Sequence, residues 1–188
     1  MPVFKWIDLK PEAIDPQHSS ASGSVFRGEK IEAALVRHPA GTGVTAHASP
    51  HEQVQSILRG RARFRVGQEE REVGPGEAVL VSPDVEWTMQ ILEDLEVVAF
   101  RDAHPRKEAA RVRGNQAAFI AWEGLKSDFI TPRYSSARGP TLTGERIEVS
   151  LMFMPAGTEG KPHTHPNEQI QVVLTGKARA LIGGKEYL

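Results

Sequence analysis

The sequence contains an internal repeat. When residues 1–72 are aligned without a gap with residues 117–188, an offset of 116 positions, 29 of the 72 pairs are identical. The agreement is densest between 39–60 and 155–176, where proline, glycine, histidine, glutamate and glutamine positions coincide. Because the chain holds two copies of one unit, a residue present in only one copy marks a gain or a loss of chemistry.

Composition excludes several classes of protein. The formal net charge of −1 lacks the basic surplus that a general nucleic-acid binder normally carries. The absence of cysteine excludes disulfides and thiolate metal sites. The sequence has no secretory leader at its start and no apolar run of about 18 residues. We therefore expect a cytoplasmic protein that has neither a nucleic-acid nor a membrane partner.

Short apolar runs separated by glycine and proline predict an all-β fold. We predict strands in the first copy at 31–37, 53–58, 62–66, 78–81, 86–91 and 95–100, and in the second copy at 147–154, 169–174 and 178–182. A basic segment, 106–113, is the best candidate for a helix. The predicted organisation is a first repeat over 1–103, a linker over 104–116 and a second repeat over 117–188.

The sharpest motif lies in the second repeat and runs His163-Thr-His165-Pro-Asn-Glu-Gln169. Alternate residues of an extended chain face the same side, so the two imidazoles project together, and Gln169 has the same parity. Two imidazoles and an amide oxygen suit a divalent Zn, Fe, Mn, Ni or Co ion. The alternative is a pair of surface histidines in a proline-containing loop. The recurrence of this stretch at the same place in both repeats favours a metal site.

These motifs resemble those of the cupin superfamily, and in particular of its two-repeat members, the bicupins. The family's first motif is matched by Gly157, His163, His165, Gln169 and Gly176. The resemblance implies two tandem antiparallel jelly-roll barrels, also called double-stranded β-helices, each with its metal position inside. The second barrel would be incomplete in this sequence, because it stops before the family's second motif.

The first repeat departs from the family pattern at two ligand positions. His47 and Gln53 keep their places, but Ser49 replaces the second histidine. Trp87 stands where the family's second motif places its last histidine. We therefore predict a degenerate, metal-free first site with Trp87 filling its mouth, while His51 is a less favoured substitute ligand.

Two further glutamines follow the amide position by one strand period. Gln55 and Gln171 would face the same side as Gln53 and Gln169 in an extended strand. They are candidate pocket residues, and filling a barrel interior is an equally good interpretation of both.

In the second repeat, the family's fourth ligand would fall about 15 residues after Leu188. Two expectations follow. Either the sequence is a fragment of a natural chain of about 230 residues, twice the repeat length, or a second copy completes the open barrel in a homodimer.

The resemblance also implies a function. Similar His-x-His-Pro-x-Glu-Gln motifs occur in small cupins that process uronates and in quercetin-dioxygenase-like cupins. We expect a metal-dependent cupin, with an enzyme favoured, that acts on a small polar, sugar-acid-like or oxygen-rich substrate in the second repeat. A neutral Gln169 leaves the full charge of the ion available for Lewis-acid chemistry, as in an isomerase or lyase. The alternatives are a dioxygenase-type cupin and a non-catalytic module that binds a metal or a small molecule.

Overall fold

The computed structural model describes residues 3–104 and 118–188, and in these ranges the chain is built of strands. Two short 3₁₀ turns, Trp6–Asp8 and Trp122–Gly124, are its helical elements. The all-β prediction is therefore confirmed, whereas the predicted helix at 106–113 lies outside the described residues. In the described ranges, no helix has the length and apolar character needed to cross a bilayer.

Sixteen strands follow one another in the described ranges. In chain order they are β1 Glu12–Ala13, β2 Ser22–Arg27, β3 Ile31–His38, β4 Gly43–His47, β5 Gln53–Arg59, β6 Ala62–Val66, β7 Glu69–Val73, β8 Glu77–Val81, β9 Trp87–Ile91, β10 Leu95–Asp102, β11 Phe119–Ala121, β12 Ser127–Phe129, β13 Arg138–Thr143, β14 Glu148–Ser150, β15 Ala180–Ile182 and β16 Lys185–Tyr187.

Two antiparallel sheets pack face to face in the first repeat. One has seven strands in the order β1-β2-β3-β10-β5-β8-β11, and the other has four in the order β4-β9-β6-β7. Strand β6 shows why they pack, because Ala62, Phe64 and Val66 are buried while Arg63 and Arg65 between them are exposed. Apolar residues from both sheets form one buried cluster. This layered arrangement is the one expected of a cupin-type jelly roll.

The outer face of the seven-stranded sheet is covered by the second repeat. Val54 of β5 and Leu80 of β8 are buried against Ile120, Trp122 and Ile147. Strand β11 of the second repeat also extends the sheet by pairing with β8. The two repeats therefore share an apolar core as well as a sheet.

Several pairings recur 116 residues apart with the same register. Glu12 pairs with Gly23 in β1–β2, and Asp128 pairs with Gly139 in β12–β13. The hairpin β6–β7 has its counterpart in β15–β16, where the end pair Val66–Glu69 becomes Ile182–Lys185. The sequence similarity between the copies is thus accompanied by matching local geometry at these places.

Part of the predicted second repeat differs from the structure. The strand predicted at 169–174 is not formed, and the strand predicted at 147–154 is reduced to β14. In the first repeat, β5 lies between β10 and β8, and β4 pairs with β9. Among the described residues, the equivalent segments of the second repeat have no neighbouring strands that correspond to β8, β9 and β10. Apart from β11, the described strands of the second repeat form two small sheets, β12-β13-β14 and β15-β16.

Candidate functional site

The two histidines of the second-repeat motif meet at their ring nitrogens. His163 Nε2 lies 3.0 Å from His165 Nε2. His163 Nδ1 lies 2.7 Å from the carbonyl oxygen of Lys161, which can only accept, so Nδ1 donates and, in the neutral ring, Nε2 carries the lone pair. Two nitrogens bound at about 2.1 Å to one ion are about 3.0–3.4 Å apart when they occupy adjacent positions. The imidazole pair therefore fits a divalent ion.

Tyr134 supports this pair from the side. Its ring stacks on the ring of His163 with centroids 4.6 Å apart and planes inclined by 18°. The carbonyl oxygen of Tyr134 also accepts a hydrogen bond of 2.6 Å from the backbone N–H of Lys161. The same segment thus fixes both the ring of His163 and the residue that sets its tautomer.

The two glutamines of the second-repeat motif, Gln169 and Gln171, are exposed. Between the imidazoles and Gln169 stands Glu168, whose carboxylate accepts hydrogen bonds of 2.7–2.9 Å from the backbone N–H groups of Glu29, Lys30 and Ile31. Burial acts to raise the pKa of Glu168, but these backbone donors prevail and hold it below its usual value. The motif is therefore fastened to the first repeat next to its amide position.

In the first repeat, His47 is grouped with residues from the N-terminal turn. His47 Nε2 lies 3.3 Å from Asp15 Oδ2. The ring of His18 stacks on the ring of His47 with centroids 4.2 Å apart and planes inclined by 9°. In the described ranges, Asp15, His18 and His47 are the group of histidine and acidic side chains whose ligand atoms lie close enough together to share an ion, all within 4.8 Å of one another.

The other residues predicted for the first site, His51, Gln53 and Gln55, are not part of this group. His51 Nδ1 donates a hydrogen bond of 2.8 Å to the carbonyl oxygen of Asp102. Gln53 is half-buried at the start of β5, and Gln55 is buried two residues later, paired with Ala99 and Val79 of the neighbouring strands. His51 thus contacts β10, and Gln55 lies within the seven-stranded sheet.

Trp87 lies in the apolar core between the two sheets of the first repeat. Only 6% of the surface of this residue is exposed to solvent. Its ring contacts the rings of His47 and Phe64, whose centroids lie 5.0 and 6.2 Å away. The indole therefore lies beside the imidazole that the cupin motif assigns to the metal. Its Nε1 is buried with no hydrogen-bond partner among the described residues.

The sequence profile of the AraC-binding-like domain matches residues 4–117, which is more than half of the chain. The chain belongs to the AraC-binding-like domain family. The predicted membership of the cupin superfamily is confirmed at that level, while the arrangement as two complete barrels stays a prediction. No curated protein matches the sequence.

Solved structures that resemble this AraC-binding-like chain in fold include two that are described as cupin domains. The cupin domain of Schizosaccharomyces pombe Cnp3 matches at 15% identity and a TM-score of 0.42, covering 45% of this chain and 65% of its own. KdgF from Halomonas sp. matches at 19% identity and a TM-score of 0.49, and the match covers 56% of this chain and 96% of KdgF. Rru_A2000 from Rhodospirillum rubrum, described as a cupin-2 domain, matches at 19% identity and a TM-score of 0.49. The match covers 60% of this chain and 81% of Rru_A2000. At these identities the likeness concerns the fold alone.

Sequence reasoning missed two members of the first-repeat group. Asp15 and His18 lie outside the cupin motifs, and they approach His47 only through folding. A signal was nevertheless present in the repeat, because the equivalent positions hold Thr131 and Tyr134. The first copy of this AraC-binding-like chain carries an aspartate and a histidine, both common metal ligands, where the second copy has a threonine and a tyrosine.

Proposed function

We propose that this protein is a metal-dependent cupin whose working site is the imidazole pair of the second repeat. His163 and His165 would hold a divalent ion, with Gln169 as the third protein ligand. The observation that carries the proposal is the 3.0 Å separation of the two Nε2 atoms, with the Nδ1 of His163 tied to a backbone carbonyl. That arrangement leaves a lone pair directed at the shared position.

The chemistry of the ligand set favours an oxygen-rich, anionic substrate. Two neutral imidazoles and a neutral amide leave the whole charge of a divalent ion uncompensated by protein. An ion of this kind binds carboxylate and hydroxyl oxygens and polarises a carbonyl. A small sugar acid carries all these groups, so an isomerase or lyase acting on such a substrate is the enzyme class that we propose.

Metal analysis of the purified full chain tests the ligands. The double variant His163→Ala/His165→Ala should lose the ion of the second repeat, and Gln169→Ala should weaken it. His47→Ala is the matched control and should leave that ion in place. Retention of all bound metal by the double variant would contradict the proposal.

Substrate class is tested with a matched pair of sugars. In calorimetric titrations of the metal-loaded protein, galacturonate should bind and galactose, which lacks the carboxylate, should bind far more weakly. Incubation with the sugar acid, followed by product analysis, distinguishes turnover from binding. Oxygen consumption in the same incubation would indicate dioxygenase chemistry instead.

A non-catalytic binding module is the second candidate, and a specific observation favours it. The contacts of His163 come from His165, the ring of Tyr134 and the carbonyl of Lys161. Among the described residues, no carboxylate joins the imidazole pair to make a cluster of three ionisable ligands. A site without a carboxylate base can hold a ligand without transforming it. Saturable binding of galacturonate with no product formed would support the module.

A further inference from the structure

We propose that the first repeat carries a second divalent-metal site, formed by Asp15, His18 and His47. This site is separate from the one proposed for the second repeat. It uses the first histidine of the cupin motif together with two residues that lie outside that motif. The first repeat has therefore rebuilt a metal site from another part of the chain instead of only losing one.

The tautomer of His47 prepares it to bind an ion. His47 Nδ1 lies 2.8 Å from the carbonyl oxygen of Thr45 and donates to it, so Nε2 is the free nitrogen. That nitrogen lies 3.3 Å from Asp15 Oδ2, a separation that suits two ligands in adjacent positions on one ion. The side chain of His47 is 11% exposed, whereas that of Asp15 is 40% exposed. An ion would thus be held at the surface end of a largely buried imidazole.

The turn that carries the other two ligands is fastened to the strand of His47. The carbonyl oxygen of Asp15 accepts hydrogen bonds of 3.0 and 2.9 Å from the backbone N–H groups of His18 and Ser19. The backbone N–H of Thr45 donates a hydrogen bond of 2.9 Å to the carbonyl oxygen of His18, and Ser19 forms an isolated β-bridge with Val44. The turn and β4 therefore hold the three side chains in a fixed relation.

Two features concern the individual side chains. Asp15 has a φ of +48°, in the left-handed region, which few residues with a side chain adopt and which aspartate and asparagine tolerate best. His18 Nδ1 lies 3.2 Å from Thr45 Oγ1. A backbone held in this uncommon conformation beside a cluster of ligands is a feature of functional turns.

The second repeat shows what this turn looks like without the ligands. The carbonyl of Thr131 accepts hydrogen bonds of 2.9 Å from the backbone N–H groups of Tyr134 and Ser135, as Asp15 does for its own turn. Tyr134 stacks on His163 as His18 stacks on His47. The hydrogen-bond pattern of the turn therefore recurs without Asp15 and His18, although Thr131 does not share the positive φ of Asp15.

Two imidazoles and one carboxylate are the donors that proteins use for non-haem Fe(II) and for zinc with an open position. Three protein ligands leave room for water or for a small oxygen-donor ligand. Unlike the second-repeat set, this set contributes a negative charge and therefore stabilises the ion more strongly. Its competitor is a simple ion pair between Asp15 and a protonated His47, which needs no metal.

Cobalt binding to the full chain tests the site, with Co²⁺ alone as the probe. The background is His163→Ala/His165→Ala, which removes the imidazole pair of the second repeat. This protein should bind one Co²⁺ with visible d–d absorption. Adding Asp15→Thr/His18→Tyr, the residues of the second repeat, should abolish that binding at the same Co²⁺ concentration. The control Asp8→Thr/His104→Tyr changes an exposed aspartate and an exposed histidine outside the site and should leave the binding unchanged.

Each outcome has a defined meaning. If the background variant binds no Co²⁺, Asp15 and His47 form an ion pair only and the proposal is wrong. The proposal is also wrong if binding survives Asp15→Thr/His18→Tyr. Should that variant fail to fold by circular dichroism, Asp15→Asn replaces it, because asparagine keeps the size and the left-handed backbone but removes the charge. It should weaken Co²⁺ binding, and an unchanged affinity would overturn the site.

Discussion

Glu52 and Glu168 occupy equivalent positions in the two repeats, and each binds the backbone of the other repeat. The carboxylate of Glu168 accepts hydrogen bonds from the backbone N–H groups of residues 29–31. The carboxylate of Glu52 accepts hydrogen bonds of 2.7–3.0 Å from the backbone N–H groups of residues 145–147, which are 116 positions further along. The contact between the repeats is therefore reciprocal.

We predict that Glu52→Gln lowers the free energy of unfolding by about 2–4 kcal/mol, measured by chemical denaturation. Glu52 is fully buried, and its two oxygens serve three backbone donors. An amide group can present only one oxygen to them and turns its NH₂ group towards a donor. Glu69→Gln, at an exposed position of β7, is the control and should have little effect. Equal stability of the two variants would contradict this account.

We predict that Gly144→Ala is destabilising by about 1–3 kcal/mol, because the new methyl group overlaps the carboxylate of Glu52. A Cβ at Gly144 would lie 2.5 Å from Glu52 Oε1, and one at Gly28 would lie 2.6 Å from Glu168 Oε1. The control is Gly124→Ala, whose Cβ meets no heavy atom within 4 Å. Thermal unfolding of the three alanine variants should rank Gly124→Ala as the most stable.

Trp87→Ala should cost about 3–5 kcal/mol of stability, as the truncation of a buried large aromatic residue usually does. The cavity would open beside His47 and Phe64, which contact the indole. Trp87→Phe keeps most of the apolar volume and removes the unpaired buried N–H, so its loss should be smaller. Denaturant titration measures both variants, and a Trp87→Ala protein of wild-type stability would show that the indole does not support the barrel.

The stability of the protein should depend on pH through His38. Burial lowers the pKa of His38 from 6.5 to about 4. Between these values the unfolded chain takes up a proton that the folded protein does not, so the free energy of unfolding falls as the pH falls, by up to about 3 kcal/mol. Well above pH 6.5 both states are neutral at this residue, and its contribution to the slope vanishes.

His38→Met isolates this effect, because methionine is the residue at the equivalent position, Met154. The difference in unfolding free energy between wild type and variant should be constant well above pH 6.5. As the pH falls towards 4, the wild type should lose stability relative to the variant. Denaturation curves across this range provide the measurement. A difference that does not vary with pH would mean that His38 takes up a proton as readily in the folded state as in the unfolded state.

The first-repeat strands could be predicted well from the sequence, because their signal is local. The alternation of apolar and polar residues in 62–66 and the turn at Gly67 define β6 and its hairpin with β7. The predicted strand at 53–58 corresponds to β5 for the same reason. The predicted strand at 169–174 carries a similar pattern but has no paired neighbour. Pairing depends on distant segments, which a local pattern does not reveal.

Of the two candidate sites, one could be predicted from local sequence and the other could not. The spacing in His163-Thr-His165 is enough to predict that the two imidazoles meet, because the two residues are separated by a single position. The approach of Asp15 to His47 depends on a turn that folds back onto β4, across 31 intervening positions of the sequence. A motif can describe only the first kind of site.

The reciprocal binding of Glu52 and Glu168, each to the backbone of the other repeat, has a consequence for a single copy of the repeat. One copy alone contains both the acid and the turn that receives it, yet the acid of each copy binds the turn of the other. A half-length polypeptide would leave three amides and one carboxylate without partners. It would satisfy them by associating with a second identical molecule across a twofold axis. Joining two such halves in one gene would make that association permanent and free each half to change independently.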